Sequence, residues 1–161
     1  MYIKYKKRIR LKEFEYKGYY RYFLTLCTQN KLSIFTDDFW VTKFINILKK
    51  ISKHYNFSIW AYCFMPDHLH LLIEGKEHDS DMKQFISLYK QITGFYYKKI
   101  TNNNLWQANY YEHVLRNEED TIKIAYYIFF NPVRKGLVHD FTKYNFLGSF
   151  EFDIKKTYLT N

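Results

Sequence analysis

Residues 57–74 read FSIWAYCFMPDHLHLLIE, and this stretch decides the fold. Residues 57–64 are rich in aromatic and other β-forming residues, Met65-Pro66-Asp67 has the chemistry of a tight turn, and 68–74 alternate, so the whole reads as a β-hairpin. Alternation puts Leu69, Leu71 and Ile73 on one face of the second strand and His68, His70 and Glu74 on the other. The apolar set is suited to packing against helices. The opposite face then carries two imidazoles side by side on a rigid strand, as a pair of ligands for one cation requires. Taken alone, the His-x-His pattern reads equally as two satisfied surface histidines or an incidental zinc site, and Glu74 as a solvated strand end.

Working outward, residues 19–28 form a strand that should be central. Thr36 or Asp37 caps a helix running to about His54, with Val41, Phe44, Ile45 and Leu48 on one face. Residues 75–80 are a polar loop, and 81–100 a second helix with Met82, Phe85, Ile86 and Tyr89 in the same stripe. A loop at 101–104 leads to a fourth strand at 110–116. A third helix, 118–130, is opened by Glu118, Glu119 and Asp120 near its positive end. The order β-α-β-β-α-β-α predicts an α+β, ferredoxin-like split βαβ sandwich: an antiparallel sheet, two helices on one face, the other face free, and an added C-terminal helix. No repeat or linker interrupts it, so we divide the chain into a basic arm (1–18), one domain (19–150) and a tail (151–161).

In the third helix, Ile122, Ala125, Tyr126, Phe129 and Phe130 fall on a buried stripe. Tyr127 is turned away by about 100° and shares a flank with Asp120, Lys123 and Asn131. A phenol, a cation and an amide together suit phosphate chemistry; an ordinary amphipathic helix with a half-exposed Tyr fits the same pattern. Pro132 ends the helix at or just before Asn131. Arg134, Lys135 and Gly136 follow, either as a phosphate contact or as a cationic helix stop.

The formal charge of +9 over 161 residues points to a polyanionic partner, nucleic acid first. With 47% hydrophobic residues, the mean hydropathy of −0.46 reflects Lys, Asn and Tyr rather than a missing core, which excludes a disordered chain. Lys4, Lys6, Lys7, Arg8, Arg10 and Lys12 make either a DNA-clamping arm or a solvated strand. The aromatic residues could stack on unpaired bases, but most are expected in the core, and the same bias follows from an AT-rich coding sequence. Cys27 and Cys63 have no paired metal spacing, and neither a leader nor a long apolar run is present. A soluble, cytoplasmic protein with reduced thiols is expected.

FMPDHLHLLI (64–73), followed by YIFFNPVRKGL (127–137), resembles the REP-associated tyrosine transposases of the single-tyrosine HUH superfamily. Phe23-Leu24-Thr25, Leu105-Trp106-Gln107 and YEHVLR (111–116) strengthen the resemblance, which spans about 19–148. It implies a ferredoxin-like core, with His68 and His70 binding Mg²⁺ or Mn²⁺. It further implies that Tyr127 attacks a DNA phosphodiester to give a 5′-phosphotyrosine and a free 3′-hydroxyl, in a metal-dependent single-stranded-DNA endonuclease and strand transferase acting at hairpins. Relatives often place a third ligand, Gln, four residues after the Tyr, where this chain has Asn131. Arg8, Arg10, Lys83, Lys90, Arg116, Lys123 and Arg134 are the candidate DNA contacts. The implied partner is hairpin-bearing single-stranded DNA, without a membrane, and monomer and homodimer both stay open. The competing reading is a non-catalytic single-stranded nucleic-acid-binding module on the same core.

Overall fold

The structure, a computed structural model, describes residues 13–159; Arg8 and Arg10 lie outside the described residues. Five strands and five helices follow in the order β1 (Arg21–Cys27), α1 (Asp38–His54), β2 (Phe57–Met65), β3 (His68–Gly75), α2 (Met82–Thr101), β4 (Tyr111–Val114), α3 (Thr121–Phe129), α4 (Asn131–Arg134), β5 (Leu147–Gly148) and α5 (Ile154–Leu159). The sheet is antiparallel with order β4-β1-β3-β2-β5. Its first four strands have the ferredoxin-like arrangement expected from the sequence, and β5 extends one edge.

The helices begin where an aspartate can accept from exposed backbone N–H groups. Asp37 caps α1 through Phe39, Asp81 caps α2 through Gln84, and Asp120 caps α3 through Ile122 and Lys123. The third helix therefore starts later than the expected 118. Glu119 is held in the preceding turn, where its carboxylate accepts from the Arg116 N–H.

Two cores flank the sheet. Leu24, Leu69, Leu71 and Ile73 pack beneath α1 and α2 against Phe44, Phe85 and Tyr89. On the opposite face Phe23, Ala61, Cys63 and Leu72 pack with Ala125, Ile128 and Phe129 of α3. The expectation of a free second face is thus corrected, because Phe23 and Leu72 are apolar and α3 covers them. The stripe expected on the third helix also shifts. Ala125, Ile128 and Phe129 are buried, Tyr126 and Phe130 are half-buried, and Ile122 is 42% exposed. Apolar residues occupy nearly every position of α3, so periodicity alone cannot set its phase; docking on the sheet does.

Backbone irregularities aim the strands. A bulge between Ile59 and Ala61 reverses the alternation of β2. It leaves Tyr62 and Phe64 on the α1/α2 side and Ala61, Cys63 and Met65 on the α3 side. At the end of β3 only glycine fits at position 75, since an added Cβ would run into the Gly18 carbonyl. The basic arm's last residues join the fold: Tyr16 is buried in the first core. Ile154 of α5, in the segment expected to be a tail, is buried in the second. Among the described residues no helix is long and apolar enough to cross a membrane.

Candidate active site

Strand register builds the site. Thr25 of β1, His70 of β3 and Cys63 of β2 lie directly abreast, and Tyr111 of β4 continues the row beyond Thr25. One pleat along, Cys27, His68 and Met65 form a second row; one pleat back, His113, Phe23, Leu72 and Ala61 form a third. All face α3 rather than the α1/α2 layer.

His68 Nε2 and His70 Nε2 stand 3.1 Å apart. The Asp67 carboxylate lies 2.6 Å from His68 Nδ1, and since it can only accept, that nitrogen carries the proton and Nε2 presents a lone pair. Two facing lone pairs at this distance would repel. Either His70 Nε2 carries a proton between them, with the Thr25 hydroxyl donating to His70 Nδ1 at 2.9 Å, or both nitrogens face a cation. In the second case His70 Nδ1–H donates to Thr25, whose rotatable hydroxyl serves either tautomer.

The spacing fits a metal. Two neighbouring ligands of an octahedral ion at about 2.1 Å are separated by about 3 Å. Burial drives both imidazoles toward the neutral form a ligand must have. His70, 2% exposed, is held well below the usual imidazole range by burial first, then by His68 and the Arg134 charge. His68 is lowered by burial too; Asp67 opposes this, while Lys31 and Lys135 reinforce it. Among the described residues no three His, Cys, Asp or Glu side chains gather as ligands, so further donors would be amide, water or phosphate oxygens. Asn131 is buried, and its Nδ2 donates to the Ile128 carbonyl at 3.2 Å, which leaves its side-chain oxygen as the candidate donor.

Phe23 joins the histidines to α3. Its ring centroid is 5.5 Å from that of His70 and 6.4 Å from that of Tyr127. Tyr127 is half-buried at the margin of the covered face, and the Arg134 guanidinium lies 4.1 Å from its ring centroid while donating to the Tyr127 carbonyl at 2.6 Å. The hydroxyl of Tyr126 is buried beneath α3, against the second core. Matching a model of IS200-like transposases over residues 16–129, the chain carries both histidines and Tyr127 inside the matched region. It belongs to the IS200-like transposase family.

Transposases cleave and join DNA, and this chain is an enzyme of that class. A REP-associated tyrosine transposase of Escherichia coli is 28% identical over 147 residues, covering 88% of this chain and 86% of that protein. A Haemophilus influenzae protein assigned to the same group is 30% identical over 145 residues, covering 83% and 81%. The solved structure of a REP-associated tyrosine transposase bound to a REP hairpin superposes with a TM-score of 0.70 at 23% identity, covering 87% of this chain and 82% of that one. That likeness confirms the fold.

In this transposase the expected DNA contacts are dispersed. Arg134 borders the site, and Arg116 and Lys123 are exposed on the β4–α3 turn and on α3. Lys83 and Lys90 lie on α2, across the sheet from the histidines. Lys83 covers the Tyr16 ring at 4.6 Å, and Lys90 donates to the Gln107 and Ala108 carbonyls at 2.7 and 3.0 Å. Sequence reasoning gave no role to Thr25, Asp67, Phe23 or Lys31. Asp67 stands directly before the histidine pair, and Phe23 and Thr25 belong to the motif Phe23-Leu24-Thr25, but their places at the site come from strand pairing, and that of Lys31 from loop placement.

Proposed function

We propose that this transposase nicks and rejoins single-stranded DNA beside a hairpin, with Tyr127 as nucleophile and His68, His70 and Asn131 as holders of a divalent cation, Mg²⁺ or Mn²⁺. The observation that carries the proposal is the pair of neutral, pre-oriented imidazoles at 3.1 Å, linked through Phe23 to a half-buried tyrosine. A divalent cation bound there would polarise a non-bridging phosphate oxygen and offset the charge that builds on it. Lys31, Lys135 and Arg134 surround the same place with positive charge and favour a phosphodiester.

Tyr127 Oη attacks phosphorus and the bond to the 3′-oxygen breaks. The phenol's proton is lost, the leaving alkoxide is protonated, and a 5′-phosphotyrosine and a free 3′-hydroxyl remain. A 3′-hydroxyl can reverse the attack, so joining needs no nucleotide cofactor. A phenol with pKa near 10 is a weak nucleophile at neutral pH. A cation on the phosphate would offset that weakness by polarising the group attacked.

The test is a denaturing gel of the protein incubated with labelled hairpin-bearing single-stranded DNA and Mn²⁺. A covalent adduct is expected, abolished in Tyr127→Phe and retained in Tyr126→Phe. Absence of adduct across varied hairpins would leave a non-catalytic binding module; adduct that survives Tyr127→Phe and vanishes in Tyr126→Phe would move the nucleophile one residue.

A further inference from the structure

A groove of about 410 Å³ runs between α2 and residues 104–108, the segment that pairs with the end of β1 through Thr28 and Cys27. Phe95, Lys98, Gln91, Gly94, Trp106 and Asn104 are among its walls. Phe95 is 62% exposed, an unusual placement for a phenyl ring that packs in neither core. Gly94 interrupts a 20-residue helix, where glycine weakens the helix. Packing does not demand it, since an added Cβ would meet only Trp106 Cδ1, at 3.9 Å. The glycine instead keeps the groove wide.

We infer that this groove binds an unpaired nucleotide of single-stranded DNA, its base on Phe95 and its phosphate on Lys98. Three features select that occupant. The walls carry Lys90 and Lys98 but no carboxylate, which suits a polyanion in a chain of net charge +9. The amides of Gln91 and Asn104 offer donors and acceptors to a base edge. The groove also lies beside the proposed catalytic end of the sheet. Gln107 N–H donates to the Cys27 carbonyl at 2.9 Å, and Cys27 pairs with His68, so the 104–108 wall stands two strand positions, roughly 10 Å, from the histidines. A strand leaving the site can reach it within a few nucleotides.

The inference rests on the proposed reading of the site only for the identity of the DNA, and it is tested separately. Binding of fluorescein-labelled (dT)12 to the full chain is measured by anisotropy in EDTA, where no cleavage interferes. Phe95→Ala is expected to weaken binding about tenfold and Phe95→Trp to restore it, because stacking tolerates any aromatic ring. Gly94→Leu, which fills the groove and favours the helix, should abolish the same increment without lowering Tm. Lys98→Ala should reduce the salt slope of log K by about 0.7. Affinity within twofold of the parent for both Phe95→Ala and Gly94→Leu would overturn the inference, as would a loss of self-association by Phe95→Ala with (dT)12 binding unchanged, which would assign the groove to a second copy. Failure of Tyr127 as nucleophile reads out on the adduct gel and leaves this measurement unaffected.

Discussion

The hydroxyl of Thr25, 2.9 Å from His70 Nδ1 on the neighbouring strand, fixes the orientation of that ring and so the direction in which Nε2 faces. Valine keeps the β-branched shape and the strand propensity but removes the hydrogen bond, leaving the imidazole ring free to turn. Thr25→Val should therefore weaken Mn²⁺ binding roughly tenfold with little change in Tm, a result that Mn²⁺ titration followed by electron paramagnetic resonance can check. Unchanged affinity would mean that Thr25 only fills space. The histidines themselves were legible in the sequence because a strand's period of two assigns faces from neighbouring residues. Thr25 was not, because its role depends on the β1–β3 register across 45 residues, which no local pattern encodes. Tyr127 falls between these cases: helix geometry separates it from Tyr126, but the apolar character of nearly all of α3 hides which face is covered.

At the scale of the element, α3 is placed by its first turn. Arg21 donates to the Glu119 carbonyl at 2.6 Å, to Thr121 Oγ1 at 2.7 Å and to the Arg116 carbonyl at 2.7 Å, fastening the β4–α3 turn to β1. The Glu119 carboxylate closes the turn by accepting from the Arg116 N–H at 2.6 Å and from His113 at 3.0 Å. Burial pushes the Glu119 carboxyl up, yet these two partners outweigh it and the group sits below its ordinary value of 4.5. A carboxylate depressed in the folded state stabilises fully above its unfolded value, and that stabilisation fades as pH falls through the folded one. The start of α3 should accordingly open first on acidification below about pH 4.5, seen as faster amide exchange at residues 119–123. In Glu119→Gln that pH dependence should be gone, with exchange already fast at pH 7. Arg21→Gln should speed the same amides at every pH. Exchange that rises uniformly along the chain in either variant would count against a local clamp. The sequence marked this helix's acidic start, but it could not tell a capping residue from a turn-closing one: Asp120 and Glu119 differ in what the folded turn offers them.

For the whole molecule, the sheet separates two cores of unequal support. The first is roofed by two long helices, α1 and α2, whereas the second depends on the nine residues of α3, the single turn of α4 and the short α5. The proposed nucleophile rides on the lighter layer and the proposed metal ligands on the sheet, so their mutual position depends on docking of the second core. Phe129, fully buried there, packs its ring 6.1 Å from Phe141, while Phe44 is the corresponding fully buried ring carried by α1. Truncating either to Ala should cost about 3–5 kcal/mol of local packing, with different consequences. Phe44→Ala lowers the global Tm because its layer holds the sheet together. Phe129→Ala releases α3 while the sheet with α1 and α2 stays folded, so adduct formation is lost with most far-ultraviolet circular dichroism retained. Amide exchange separates the two outcomes: protection should fall over residues 121–134 and 141–154 in Phe129→Ala, and across the sheet in Phe44→Ala. Equal loss of sheet protection in both variants would show that the two cores fold as one unit. In that case α3 cannot open without unfolding the ligand strand.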